Sequence, residues 1–305
     1  MNVKLIDVDK DHRLPKSRAK TFPNLALMKI SAYHKSLGDK VGFDVQDPDK
    51  VYISCVFERN KDFALQEILD HKDIDFDFGG SALNLGKTLP AEIEYLKPDY
   101  CLYPSEYSMG FTTRGCVRNC EVCIVRKKEG IIKPWQYPRY FHDPKFKSCM
   151  IMDNNLFAAP RYWQEDVFNW FFETGTQMRS HGWDARLLNY DRTELLLSVK
   201  HADMIKFAWD NMQDKDFVRN AITLLKNAGV DVKHKVGFYV LVGAGTTFEE
   251  DLYRCNQLKE WGTNAYVMPY TTSPMIKHLA RWANRRHLFW NCTFTEYLRE
   301  RGEVE

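Results

Sequence analysis

The sequence predicts an α/β protein built on parallel sheets, and three observations support this. Short apolar runs typical of buried strands alternate with amphipathic runs typical of helices along most of the chain. Strand–helix–strand order favours parallel pairing with right-handed crossovers. A loop with three closely spaced cysteines interrupts the pattern. We therefore predict a small N-terminal α/β domain over residues 1–105, a larger domain over 106–290 and a C-terminal tail over 291–305.

The composition is that of an ordinary globular protein. Hydrophobic residues make up 44% and charged residues 28% of the 305 residues, and the net charge of +2 favours no particular partner. No apolar run reaches the roughly 18 residues of a membrane span. The first residues include acids and lack the apolar core of a secretory signal. Eight cysteines without the pattern of a small disulfide scaffold indicate a reducing compartment, so we expect a cytoplasmic protein.

The N-terminal domain is expected to contain a small, doubly wound, Rossmann-like sheet. Its predicted strands cover 3–8, 51–57, 74–78 and 100–103, and its predicted helices cover 22–38 and 62–71. Pro23 suits the first turn of the first helix, and Gly38 suits its end. His34 falls on the apolar face of this helix, where a residue at the edge of the core is expected rather than a ligand.

The larger domain contains six strand–helix units. Its predicted strands cover 107–113, 149–153, 183–188, 204–210, 236–242 and 264–270. After a short helix behind the cysteine loop, its predicted helices cover 164–173, 192–200, 216–228, 248–261 and 274–286. In folds of this kind, functional residues lie where parallel strands end. Polar residues or glycine occupy several such positions, namely Asp153, Asn154, Asn155, Arg186, Asp210 and Gly243.

The interrupting loop carries Cys116, Cys120 and Cys123 at C-x3-C-x2-C spacing. Three thiolates within eight residues can converge on one inorganic centre, and thiolates suit both iron–sulfur clusters and zinc. A cluster of four irons held by three cysteines keeps one iron open to a small molecule. Gly115 gives the backbone freedom to turn just before the first cysteine.

A structural zinc site, or three unrelated buried cysteines, is the alternative interpretation of this loop. Structural zinc normally has four protein ligands, often in paired C-x2-C units, and the chain has no second C-x2-C. A fourth ligand would have to come from Cys101, His142 or Cys149, and no spacing selects one of them.

Cys116, Cys120 and Cys123 match the signature of the radical S-adenosylmethionine (radical SAM) superfamily, and the chain resembles that superfamily over about residues 108–286. The resemblance implies a partial (β/α)6 TIM-like barrel. It also implies a 4Fe-4S cluster held by the three cysteines, with SAM chelating the fourth iron. The implied activity is reductive cleavage of SAM to a 5′-deoxyadenosyl radical that abstracts hydrogen from a substrate, which the sequence does not identify.

The resemblance also implies where SAM is bound. Asp153, Asn154 and Asn155 stand where the superfamily often has Gly-Gly-Glu, so an amide or carboxylate there would bind the methionyl ammonium. Arg186 would pair with the SAM carboxylate or with the substrate, and Asp210 would bind ribose hydroxyls or a substrate proton. Each strand-end charge also has a plainer interpretation as a salt bridge or a helix cap.

The adenine of SAM is expected to contact backbone from two strands and one side chain of the cysteine loop. Residues 241–250 resemble the superfamily's G-x-I-x-G-x-x-E stretch, which brings Val242 and Gly243 to the adenine. The sixth strand would offer backbone groups at Val267 and Met268. Val122 replaces the usual aromatic residue before the third cysteine.

The N-terminal domain weakly resembles a truncated form of the domains that precede the core in cobalamin-dependent radical SAM enzymes and in methylthiotransferases. The segment from Asp9 to His12 departs from the D-x-H-x-x-G loop of the first group. Only Cys55 and Cys101 are present where the second group has three further cysteines. Neither cobalamin binding nor sulfur insertion is therefore expected.

The implied chemistry requires one partner, an electron donor, and the composition of two segments permits a nucleic-acid substrate. A flavodoxin or ferredoxin must deliver the electron, and residues 126–128 offer it a basic surface. Residues 133–147 and 277–287 mix basic and aromatic side chains, a pattern that permits nucleic-acid or nucleotide substrates. The alternative from another class is a non-catalytic iron–sulfur or zinc protein.

Overall fold

A computed structural model describes residues 1–10 and 22–303 and divides the chain into two compact units. The first unit contains residues 1–111, 124–130 and 135–149, and the second contains 112–123, 131–134 and the chain from 150 onward. Parallel strands and helices occur in both units, which confirms the predicted α/β class. Among the described residues, no helix is long and apolar enough to cross a membrane.

The N-terminal sheet contains four parallel strands in the order β2-β1-β3-β4. Its strands are β1 (Asn2–Asp7), β2 (Lys40–Gly42), β3 (Lys50–Ser54) and β4 (Asp75–Gly79). The helices of this unit are α1 (Leu25–Ser36), α2 (Lys61–Asp70), α3 (Ala91–Glu94), α4 (Val125–Glu129) and α5 (Pro138–Phe141), and it also contains strand β5 (Ser108–Gly110). The predicted N-terminal helices are confirmed, although α1 begins three residues later and ends two residues earlier than expected.

Both faces of the N-terminal sheet are covered. Val3 and Leu5 pack against Leu27 of α1. Ile6 and Val8, at even-numbered positions that alternate with Val3 and Leu5, pack in a separate core with Ala64 of α2. Because successive strand residues point to opposite faces, α1 and α2 lie on opposite sides of the sheet.

The strand predicted over 100–103 is wrong, since this segment is a turn. Asp99 accepts a hydrogen bond from the Cys101 N–H at 3.0 Å, which closes the turn locally. The two tyrosines of the segment are buried because their hydroxyls have fixed partners. Tyr100 donates to the Phe141 carbonyl at 2.6 Å, and Tyr103 donates to the Asp7 carboxylate at 2.6 Å.

The rest of the chain adds seven strands and eight helices among the described residues. The strands are β6 (Thr113–Arg114), β7 (Lys133–Pro134), β8 (Ser148–Ile151), β9 (Gln177–Ser180), β10 (Ile205–Ala208), β11 (Val236–Val242) and β12 (Asn264–Pro269). The helices are α6 (Arg161–Thr174), α7 (Tyr190–Leu197), α8 (Lys215–Asn227), α9 (Val232–Lys235), α10 (Phe248–Glu260), α11 (Pro274–Ala283), α12 (Arg286–Asn291) and α13 (Phe294–Arg299). The fourth to sixth predicted strands are confirmed as β10, β11 and β12, which pair in parallel in that order.

The third predicted strand, over 183–188, is wrong. The strand in this region is β9, and Trp183 forms only a single parallel bridge with Phe207 of β10. Asp184 ends the extended segment because its carboxylate accepts the Arg186 N–H at 3.1 Å and caps a short 3-10 turn over Ala185–Leu187. Arg186 therefore lies in a turn after the strand.

The C-terminal residues end in a packed helix. Helix α13 starts with a capping box in which Thr293 and Glu296 exchange hydrogen bonds. Phe294 is buried, with its ring centroid 5.6 Å from that of Trp282 of α11. Residues 294–299 thus contribute to the core of the second unit.

Candidate functional site

The three cysteines lie on an irregular loop of the second unit. Gly115, with φ of +83°, turns the backbone just before Cys116. Cys116 and Cys123 are half-buried and Cys120 is exposed. The Cys123 N–H donates to the Cys120 carbonyl at 3.1 Å, so the last two cysteines share one tight turn. All three thiols can be reached from outside the core.

Asp153 holds the segment that leads into this loop. Its carboxylate accepts hydrogen bonds from the Thr112 N–H at 2.6 Å, the Thr113 hydroxyl at 2.8 Å and the Thr112 hydroxyl. Burial raises the pKa of Asp153 to about 6, against the lowering effect of these hydrogen bonds. Asp153 thus orients the backbone that precedes the cysteines, whereas its neighbour Asn154 is exposed.

Asp184 connects the cysteine loop to two of the predicted SAM-binding residues. It accepts hydrogen bonds from Arg186 Nε at 2.7 Å, Asn155 Nδ2 at 3.0 Å and Arg118 Nε at 3.3 Å. Asn155 Nδ2 also lies 3.8 Å from Cys116 Sγ, and the Arg118 N–H donates to the same sulfur at 3.4 Å. Our sequence analysis missed Asp184, although its place two residues before Arg186 after a strand was a usable signal.

The charges of this network are well matched. Burial opposes ionisation of Asp184, but hydrogen bonding to Arg186 and the charges of Arg186 and Arg118 outweigh it and lower the pKa of Asp184. Arg186 also pairs with Asp214 at 3.4 Å. The guanidinium is therefore held in place and ionised beside the loop.

Asp210 and Arg186 both act on the cysteine loop. Burial raises the pKa of Cys120, the Arg186 cation opposes that rise, and the Asp210 carboxylate adds to it. Asp210 is exposed at its carboxylate and accepts the Leu241 N–H at 3.3 Å. Arg186 and Asp210, which follow different strands, thus both influence the ionisation of Cys120.

Gly243 occupies a tight turn after β11. Its φ is +72°, and a Cβ atom there would lie 2.2 Å from Thr271 Oγ1. The Gly243 N–H donates to Asp251 Oδ2 at 3.0 Å. The side chain of the preceding Val242 is fully buried, and its carbonyl accepts the Tyr270 N–H at 3.0 Å.

A buried arginine, which our sequence analysis missed, supports this turn. Arg254 donates to the carbonyls of Leu241 at 2.8 Å and of Trp209, and it pairs with Asp251. These bonds tie the carboxyl ends of β10 and β11 to α10. Arg254 Nε is buried and has no partner among the described residues.

The predicted adenine-binding positions differ in what they expose. The Val267 N–H donates to Asn284 Oδ1 at 2.7 Å, and its carbonyl accepts from Asn284 Nδ2 at 3.0 Å. The backbone of Val267 is therefore already paired by a side chain that our sequence analysis did not single out. Met268 and Val122 both present partly exposed side chains, at 44% and 39%.

The remaining predicted features are mostly structural. Cys55 is fully buried, and burial raises the pKa of its thiol to about 12. In the two basic-aromatic segments, Phe141 and Trp282 are fully buried core residues, whereas Arg139 lies over the Tyr137 ring at 4.7 Å. His12 lies outside the described residues.

The donor set has the chemistry of a thiolate metal site, although its thiols do not converge in this structure. It has three thiols at one loop and, beside Cys116, a buried amide oxygen, Asn155 Oδ1, with no partner among the described residues. Such an acceptor requires a donor, and the methionyl ammonium of SAM is one. Nowhere in the described ranges do three His, Cys, Asp or Glu side chains stand close enough to hold a metal ion. Convergence of the thiols would therefore accompany metal binding.

Neither a protein-family model nor a curated protein sequence matches the chain. Its function is therefore inferred from the residues of the site alone.

Proposed function

We propose that the protein is a radical SAM enzyme in which Cys116, Cys120 and Cys123 hold a 4Fe-4S cluster. The observation that carries the proposal is the network that joins Cys116 to Asn155, Asp184 and two arginines. When bound, such a cluster with SAM supplies reductive cleavage of SAM, and the resulting 5′-deoxyadenosyl radical removes hydrogen from a substrate.

The residues around Cys116 suit the methionyl end of SAM. Asn155 Oδ1, which lacks a partner among the described residues, would accept from the ammonium. Arg186 would pair with the carboxylate, because Asp184 and Asp214 hold its guanidinium in place without burying it fully. Asp184 thus acts as a positioning residue for Arg186 and Asn155.

The adenosine end is proposed to lie along the ends of β10, β11 and β12. Asp210 has an exposed carboxylate for ribose hydroxyls. The backbone of Gly243 would lie beside the adenine, and Met268 and Val122 would offer it their accessible apolar atoms. At Val267, an adenine would have to share or displace the hydrogen bonds to Asn284.

We further propose that residues 106–290 form a partial (β/α)6 barrel. Parallel pairing of β10, β11 and β12 in chain order, together with the parallel bridges Met178–His201 and Trp183–Phe207, supports this arrangement. A cytoplasmic location and a flavodoxin or ferredoxin as electron donor belong to the same proposal.

The test is anaerobic reconstitution with iron and sulfide, followed by reduction with dithionite and addition of SAM. We expect about four irons per chain, an EPR spectrum that changes with SAM, and slow release of 5′-deoxyadenosine. Cys116→Ser, Cys120→Ser and Cys123→Ser should each lose the spectrum and the product. Cys101→Ser, at an exposed cysteine of the first unit, is the matched control.

A second pair of variants tests the network. Asp184→Asn and Asn155→Ala should weaken SAM binding by about tenfold or more, since each removes hydrogen bonds to or from charged groups. The iron content should be retained in both. The proposal would be wrong if the purified protein contained zinc without sulfide, or if the EPR spectrum of the cluster did not change with SAM. The three cysteines would then be ligands of a structural metal site.

A further inference from the structure

On one face of the sheet formed by β10, β11 and β12, the side chains are exposed on β12 and half-buried on β10 and β11. Side chains alternate between the two faces of a strand. Phe207, Phe238 and Val267 point to the covered face and are buried, with α10 and α11 packed on β11 and β12. The alternate positions form what we call the open face, which consists of Lys206, Tyr239, Tyr266, Met268 and Tyr270.

The open face carries a pair of aromatic rings. Tyr239 and Tyr266 are register neighbours on adjacent strands, with ring centroids 5.6 Å apart and planes at 88°. This edge-to-face contact fixes both rings, while Tyr266 stays 51% exposed. Because the two rings stand perpendicular, the exposed Tyr266 ring offers an apolar surface to a ligand ring, with the Tyr239 ring next to it.

A lysine without an acidic partner lies beside these rings. Lys206 Nζ is 5.8 Å from the centroid of the Tyr239 ring. Within the described part of the chain, Lys206 forms no ion pair. Its charge is therefore available to an anionic group of a ligand that contacts Tyr239.

Gly182 leaves space next to Tyr239. A Cβ atom at residue 182 would lie 3.6 Å from the Tyr239 ring and from the Lys206 carbonyl, which is ordinary van der Waals contact. Any longer side chain would extend towards the ring and occupy that space. Glycine at this position keeps the aromatic surface accessible.

The charge on the open face suits one anion rather than many. Lys206 stands on β10 four residues before Asp210, whose carboxylate is exposed. A nucleic-acid strand requires several cations along its phosphates, whereas this face offers one lysine and an aspartate. The charge of Asp210 also raises the pKa of Cys120.

We propose that the open face binds the substrate, and that this substrate is a small molecule with a planar aromatic ring and one anionic group. The ring packs on Tyr266 and Tyr239, and the anionic group pairs with Lys206. That this ligand is the substrate rests on the proposed function, whereas its binding requires neither the cluster nor cleavage of SAM.

The test is isothermal titration calorimetry on the full chain, with and without a reconstituted cluster. The probes are two matched pairs: indole-3-acetate with indole-3-ethanol, and 4-hydroxyphenylacetate with 4-ethylphenol. We expect at least one acid to bind about tenfold more tightly than its neutral partner. Lys206→Met should remove that difference without weakening the neutral compound. Tyr266→Leu should weaken both members of the pair.

Steric and surface controls complete the experiment. Gly182→Leu should block both members of the pair, whereas Gly182→Ala should retain them. Lys226→Met and Tyr162→Leu, at exposed positions of α8 and α6, should bind like the parent protein. Far-UV circular dichroism checks that every variant is folded.

Three results would overturn the inference. The first is that neither acid binds. The second is that Lys206→Met binds the acids as tightly as the parent protein does. The third is that neither acid binds but a single-stranded RNA does, in a way that depends on Lys206. Binding without deoxyadenosine release would instead refute the proposed function and leave the ligand site standing. Deoxyadenosine release without binding would refute the ligand site alone.

Discussion

The two parallel sheets differ in what covers them. The N-terminal sheet has α1 on one face and α2 on the other, and its strand-end acids are buried. Asp9 accepts from the Val56 N–H at 2.6 Å and from Asn60 Nδ2 at 2.8 Å, and Asp7 accepts from Tyr103. In the β10–β12 sheet, one face stays open and the carboxylate of Asp210 stays exposed.

This difference shows which polar residues at strand ends indicate a ligand-binding site. Both sheets present acids at their carboxyl edges, as the sequence predicts for parallel strands. In the N-terminal sheet the protein itself supplies the partners of these acids, Tyr103 for Asp7, and Val56 and Asn60 for Asp9. Near the cysteine loop, Asn155 Oδ1 is buried without a partner among the described residues, and Asp210 keeps an oxygen accessible.

The largest expected effect concerns the buried arginine beneath the open sheet's edge. Arg254→Met should destabilise the protein by about 3–5 kcal/mol, because it leaves the Asp251 carboxylate buried and two strand-end carbonyls without donors. Urea denaturation measures the loss. Arg219→Met, on the exposed side of α8, should change stability by less than about 0.5 kcal/mol. A small loss for Arg254→Met would mean that the β10 and β11 ends are held by other contacts.

The next prediction compares the loss of stability when a side chain is removed from a covered sheet face and from the open face. Leu5→Ala removes a side chain that is 1% exposed in the N-terminal core and should cost about 2–5 kcal/mol. Tyr270→Ala removes a larger side chain from the open face, where it is 58% exposed, and should cost less than about 0.5 kcal/mol. Similar losses in the two variants would show that the open face is covered in solution.

A smaller effect follows from two buried carboxyl groups, one in each unit. Burial raises the pKa of Asp7 and of Asp153 to about 6, above the ordinary value of 3.8. The folded protein therefore keeps protons that the unfolded chain releases, and this stabilisation is present below about pH 4 and lost as the pH rises through 6. Each group should contribute roughly 1–3 kcal/mol to the difference in stability between pH 4 and pH 7.

The matching measurement is thermal unfolding between pH 4 and pH 7 for the parent, Asp7→Asn and Asp153→Asn. Each variant should be less pH-dependent than the parent over this range. A variant with the parent's pH dependence would show that its carboxyl group titrates normally.

The smallest effect should be similar in both regions, because a helix cap acts mainly on its own helix. Asn24 accepts the Leu27 N–H at the start of α1, and Ser273 accepts the Ile276 N–H at the start of α11, both at 3.2 Å. Asn24→Ala and Ser273→Ala should each cost about 1 kcal/mol. The Asn24 variant should lose somewhat more, since Asn24 Nδ2 also donates to Ser54 at 2.8 Å. A difference in the opposite direction would mean that the long-range bond to Ser54 contributes nothing.

The sequence by itself determined the α/β class and most of the elements, because their signals are local. The apolar run of β11 was predicted over Val236–Val242, where the strand lies. Gly38, which was predicted to end the first helix, lies just after α1 with φ of +80° and acts within a few residues of itself. The C-x3-C-x2-C spacing was equally visible, since ligand spacing is a property of the chain.

Only the tertiary structure decided which side chains meet. The partners of Asp184, Arg254 and Asn284 include atoms of distant segments, so a local pattern does not show which groups these side chains hold together. Whether an acid at a strand end is satisfied or available depends on donors from distant segments, such as Tyr103 for Asp7 and Leu241 for Asp210. The open face also depends on which helices pack on β10–β12, because alternation along a strand predicts two faces but not which of them is covered.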